Sequence, residues 1–116
     1  MIRALLLLAA TACVSLVLTG TAAARTYYAK IGPGVTITFK NASGVKVSQI
    51  PRGTHTIRVR DNSGHHNFHL LGPGVDKKTT LAFVGLKIWT IRFAPGTYRY
   101  RCDPHRLHMR GRFTVA

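Results

Sequence analysis

Near the C-terminus, Cys102, His105 and Met109 place a thiol, an imidazole and a thioether inside eight residues. A thiolate, imidazole nitrogen and a weak thioether together suit copper that cycles between two oxidation states. The spacing implies a tight loop. Cys102 ends a strand, Pro104 stiffens the turn, and His105 and Met109 return towards the sulfur. The plainer reading is a hairpin with an incidental cysteine and a gap-filling methionine. Against it stands the distribution of sulfur: the chain has two cysteines and two methionines, and Cys13 and Met1 both lie in an N-terminal leader. An exported domain with a single cysteine cannot close an internal disulfide, and a spare thiol outside the cytosol is an oxidation hazard. Cys102 is therefore either buried and inert or held by a metal.

A further ligand must come from a neighbouring strand end, and His65-His66-Asn67-Phe68-His69 offers three histidines. Side chains alternate along a strand, so if Phe68 and Leu70 face the core, His66 faces it too. His65 and His69 then point the other way and read as surface histidines. His55, in a polar turn, carries no signal. Short alternating runs make up the rest: Val35 to Lys40, Val45 to Ser48, Thr56 to Arg60, His66 to Leu71, Thr79 to Val84, Trp89 to Phe93, Tyr98 to Cys102, and Phe113 to Val115. Turn formers separate them, among them Gly32-Pro33-Gly34, Asp61-Asn62-Ser63-Gly64, Gly72-Pro73-Gly74 and Ala94-Pro95-Gly96. About eight short strands with no helix-period stretch between them imply an all-β antiparallel sandwich or barrel.

Arg3, an apolar run from Ala4 to Val17 and the ending Ala22-Ala23-Ala24 describe a signal peptide over residues 1–24, leaving one domain over 25–116. The run is shorter than the ~20 apolar residues of a membrane-spanning helix, so no stable membrane insertion is expected once the leader is removed. Ala10-Thr11-Ala12-Cys13 faintly resembles a lipobox, but the apolar run continues past it. Charge is lopsided: 17 Lys and Arg against three acids give +14. Such a surface favours acidic partners, anionic membranes or nucleic acid. The basic residues are scattered singly along outward strand faces, which discourages edge-to-edge aggregation without any further function. A nucleic-acid module would need exposed aromatics among its cations, whereas the aromatics here fall mostly on core faces, so none is expected to bind. No nucleophile has a paired base, and the three acids lie in or beside turns, so the chain does not read as an enzyme.

His66-Asn67, then Cys102-Asp103-Pro104-His105 and Met109-Arg110-Gly111, resemble the cupredoxins, the blue copper proteins related to plastocyanin, pseudoazurin and amicyanin. The resemblance runs from Gly32-Pro33-Gly34 to Phe113-Thr114-Val115 and implies a Greek-key β-sandwich. It also implies one copper ion, Cu(I)/Cu(II), with His66, Cys102 and His105 as strong ligands and Met109 as the weak axial one. Asn67 matches the amide that joins the family's two ligand loops. Three residues separate His105 from Met109, where plastocyanin-like loops have four and amicyanin-like loops two; this leaves His108 as a rival to Met109. Zinc is the other metal to weigh, but structural zinc recruits four strong ligands, often paired cysteines.

With the signal peptide, which implies export to a periplasm, the extracellular space or the cell surface, the resemblance implies a type 1 copper protein that carries single electrons between redox partners. A copper carrier or storage protein would use the same ligands, and a domain docked permanently onto an oxidase or reductase would look alike. The expected form is a monomer that meets acidic redox proteins. His105 would lie nearest the surface, with Leu107 and Pro73 in an apolar docking patch around it.

Overall fold

Alternation of apolar and polar residues builds nine strands in the computed structural model, which describes residues 9–15 and 23–116. Most of the expected signal peptide, residues 1–8 and 16–22, lies outside the described residues. The strands are β1 (Thr26–Ile31), β2 (Ile37–Lys40), β3 (Gln49–Ile50), β4 (Gly53–Asp61), β5 (His69–Gly72), β6 (Val75–Lys78), β7 (Gly85–Phe93), β8 (Gly96–Arg101) and β9 (Arg110–Val115). A single 3-10 turn, Asp103–His105, follows β8. Among the described residues no helix is long and apolar enough to cross a membrane.

Two sheets result, in the orders β2-β1-β4-β7 and β3-β9-β8-β5-β6. The inward residues of each close one core. Tyr27, Ala29 and Ile31 of β1 meet Ile57 and Val59 of β4 and Trp89, Ile91 and Phe93 of β7, while Leu70, Tyr98, Tyr100, Phe113 and Val115 come from the other sheet. Aromatic rings fill its centre: Tyr98 and Phe113 stack at 5.4 Å, and Phe39 lies 4.8 Å from Phe113. Two glycines make room for the tyrosines. A Cβ on Gly111 would sit 2.2 Å from the Tyr100 ring of its cross-strand partner, and one on Gly72 would sit 2.1 Å from Tyr98.

The all-β sandwich agrees with the sequence reading, with three differences in its parts. First, the sheets are mixed. β1 pairs with β4 in parallel, and so does β3 with β9. After the β1–β2 hairpin the chain crosses to the other sheet as β3, and it returns beside β1 already running in the same direction. Second, β1 and β6 were not expected as strands, and the run expected at Val45 to Ser48 makes only an isolated bridge at Lys46, the strand there being β3 just after it. β6 is a charged edge strand, VDKK, with Val75 as its one apolar residue. Third, Thr79 to Val84 is a loop. Thr79 is spent on the neighbouring backbone: its N–H donates to Phe68 O at 3.0 Å, and its hydroxyl accepts from Phe68 N–H at 2.9 Å.

Candidate metal centre

β8 delivers Cys102 to one end of the sandwich, fully buried. The chain then turns sharply, with Pro104 in the first turn of the 3-10 segment, where its missing N–H costs nothing. Four backbone bonds close this loop. His105 N–H donates to Cys102 O at 3.1 Å, His108 N–H to His105 O at 3.0 Å, Met109 N–H to His105 O at 2.8 Å, and Cys102 N–H to Met109 O at 2.9 Å. Met109 is consequently tucked inside at 1% exposure, while His108 stands in solvent. From the loop after β4 comes His66, 7% exposed, just ahead of β5.

The donor atoms converge. Cys102 Sγ lies 3.6 Å from His66 Nδ1 and 3.7 Å from His105 Nδ1, and the two nitrogens are 3.2 Å apart. The point equidistant from the corners of that triangle is about 2.0 Å from each, the length of a metal–imidazole bond. Three lone-pair atoms facing one another in a buried setting, with no carboxylate among them, fit a soft or borderline transition ion. A buried thioether-bearing residue on the same loop turns that preference towards copper. His65, in the turn before His66, is exposed and outside the group.

Asn67 joins the two loops. Asp103 N–H donates to Asn67 Oδ1 at 2.8 Å, and Asn67 Nδ2 donates to Asp103 Oδ2 at 2.9 Å. Asp103 also accepts from Arg101 Nε at 2.9 Å and faces His69 Nδ1 at 2.8 Å. The other nitrogen of His69 meets Asp76 Oδ1 at 2.6 Å. His69 is not the surface histidine its parity suggested. It does point away from the core, yet it is buried, because the ligand loop and β6 cover it with two carboxylates. Burial pushes the Asp103 carboxyl up, but hydrogen bonds from Asn67, His69 and Arg101 outweigh this and hold its pKa at about 2. Asp61, at the end of β4, is the opposite case. Burial raises its pKa despite the Ser63 N–H at 2.9 Å and the nearby His66, and its Oδ2 has no partner among the described residues. Sequence reasoning missed this group of His69, Asp76, Arg101 and Asp103; the Asp directly after Cys102 was its one visible sign.

Pro73 does not belong to the copper end. It packs against Gly96, the first residue of β8, whereas Cys102 follows the last. At ~3.3 Å per residue that places it a strand's length away. Leu107, 71% exposed, is on the ligand loop itself, and Val35 and Val84 are exposed on loops at the same end.

Residues 23–116 match the family of copper binding proteins of the plastocyanin/azurin type. No curated protein sequence matches significantly. Among solved structures, reduced rusticyanin is similar at 22% identity and a TM-score of 0.57, with 78% of each chain covered. Rusticyanin from Thiobacillus ferrooxidans is similar at 24% identity and a TM-score of 0.57, covering 78% of this chain and 76% of that one. A mutant of amicyanin in its oxidised state is similar at 18% identity and a TM-score of 0.51, covering 77% and 80%. These structures share the fold, and the family match takes in both loops that bring Cys102, His66 and His105 together. The chain belongs to the plastocyanin/azurin family of copper-binding proteins.

Proposed function

We propose that this protein is an exported type 1 copper protein that carries single electrons between redox partners. The observation that carries this reading is the triangle of Cys102 Sγ, His66 Nδ1 and His105 Nδ1 set in a rigid, buried loop junction. Those three side chains are assigned as the strong ligands and Met109 as the weak axial one. His108 is a poor rival because it stands in solvent. Copper, when bound, supplies a site that accepts and returns one electron.

The chain's own residues supply the rest. The backbone bonds within Cys102–Met109 and the Asn67–Asp103 pair hold the donors in place, so little rearranges when the charge changes. The buried Phe68 and Met109 on these loops help keep water from the sulfur. His105, half-buried, gives the route to the surface, and Leu107, Val35 and Val84 offer an apolar contact at that end. Residues 1–24 act as the signal peptide and 25–116 as the working domain, located in a periplasm, outside the cell or at its surface. The domain works as a monomer with acidic redox partners.

The test is the visible and EPR spectrum of the copper-loaded protein, followed by electron exchange and chelator competition. An intense thiolate-to-copper band, fast exchange and slow copper loss in both oxidation states are expected. Rapid loss of Cu(I) to the chelator with sluggish exchange would make it a copper carrier instead.

A further inference from the structure

β9 is paired along only part of its outer edge. Cys102 N–H bonds Met109 O, which sets the alternation of the β8–β9 ladder. Gly111, Phe113 and Val115 turn their backbone polar groups towards β8, while Arg110, Arg112 and Thr114 turn theirs to the opposite edge. Thr114 N–H does find Ser48 O on that edge, at 3.0 Å, and β3 pairs with Thr114 and Val115. The pairing stops there. Ahead of Ser48 the chain has moved to the other sheet: Val47 N–H bonds Phe39 O, and Lys46 bridges to Lys40. Among the described residues, the backbone groups of Arg110 and Arg112 on this edge have no protein partner.

The diverging segment leaves an open groove of about 880 Å³. Lys46, Arg99, Arg110 and Arg112 line it, and no acid does. Arg99 and Arg112 are direct cross-strand neighbours, an arrangement that costs stability when both are charged. None of the chain's three acidic side chains lines the groove to relieve it. Asp61 is buried at the end of β4, while Asp76 and Asp103 are held by His69 and Arg101. The opposite charge must come from outside. Phe113 and Val47 contribute to the lining but are buried, so the groove presents neither an aromatic platform for bases nor an apolar wedge for lipid. Its unpaired edge, from Arg110 to Arg112, spans about 10 Å, the length of about three extended residues.

We propose that this groove docks an acidic, extended segment of a partner protein, which adds as a strand along the open edge of β9 while its carboxylates meet the four cations. Because β8 leads into Cys102 and β9 follows Met109, a partner held here lies against the two strands that carry the ligand loop. The identity of the partner as a redox protein rests on the electron-carrier reading; the binding itself does not and is measured without any redox step.

The experiment titrates the isotope-labelled Cu(I) protein with a ten-residue glutamate peptide and follows backbone amide signals. Shifts at Lys46, Ser48, Arg110 and Arg112, with slowed amide exchange at Arg112, are expected. Arg99→Gln with Arg112→Gln should weaken binding by at least about tenfold, whereas Lys30→Gln with Arg60→Gln, on the outer face of the other sheet, should change it less than about twofold. The signal map of the unaltered protein stands even if a variant folds poorly. Equal shifts on both sheets, no slowing at Arg112, or a groove that ignores the peptide but takes heparin or phosphatidylglycerol vesicles would overturn the proposal.

Discussion

Asn67 and Asp103 hold each other through two hydrogen bonds, of 2.8 and 2.9 Å, and each directly follows a donor of the metal triangle. One follows His66 and the other Cys102, so this pair ties the two loops together directly beside the donors. Asn67→Ala would leave the Asp103 N–H without its acceptor, at a cost of ~1–3 kcal/mol. Copper affinity should fall roughly 10–100-fold, as it does when outer partners of ligands are removed. Chelator competition on the variant checks this, and an unchanged affinity would mean that the loops are held by other contacts.

The two buried histidines of the His66–His69 stretch should behave oppositely. His66→Ala and Cys102→Ser should remove the intense visible band, and His105→Ala should severely weaken it. His69→Ala should keep the band but lower the melting temperature, because Asp103 and Asp76 lose the ring between them. Absorption and melting of the variants decide the matter. Loss of colour in His69→Ala with colour kept in His66→Ala would reverse the assignment.

Met109→Leu should retain copper and raise its reduction potential, since a weak donor that favours the oxidised ion is gone. His108→Ala should do little, its side chain being exposed. Voltammetry of both variants provides the comparison, and the reverse ranking would make His108 the axial ligand.

Two carboxylates should respond to acid with opposite signs in the copper-free protein. Asp103 sits at about 2, below its ordinary 3.8, so its contribution to stability is complete above pH ~4 and disappears as the pH falls towards 2. The melting difference between the wild type and Asp103→Asn should collapse over that interval. Asp61 has a raised pKa, so the folded state resists its ionisation and loses stability as the pH rises through the carboxylate range. Asp61→Asn should therefore melt higher than the wild type at pH 7, with the advantage shrinking in acid. A constant difference across the range, for either variant, would show that the carboxyl titrates normally.

Strand parity made much of this molecule legible in its sequence. Ile57 and Val59 against Arg58 and Arg60, or Trp89, Ile91 and Phe93 against Thr90 and Arg92, state a buried and a wet face outright. Parity also placed His66 and Cys102 on the inner side, where the structure has them. It failed where a strand lacks apolar contrast. In β1, Tyr27 and Tyr28 are adjacent aromatics and the next inward residue is only Ala29, so the alternation is faint although the burial is not. It failed again at His69, because parity gives the side a residue faces and says nothing of what covers that side. The cover comes from Asp76 and Asp103, 7 and 34 residues away, and only the folded chain brings them there. Pro73 was misplaced for a similar reason: a turn signal does not say which end of the sandwich the turn occupies.

With 17 Lys and Arg against three acids, one of them buried, positive charge dominates the protein's exterior. Two copies approaching each other are therefore two like-charged colloids, and at low ionic strength they repel before their apolar ends can touch. On the electron-carrier reading, self-exchange between copies should be slowed by the same field that would hasten a negatively charged partner. Added salt should lift the first rate while depressing the second. On that reading, an electron loaded onto one molecule would then pass to a different kind of protein instead of being shuffled within the population.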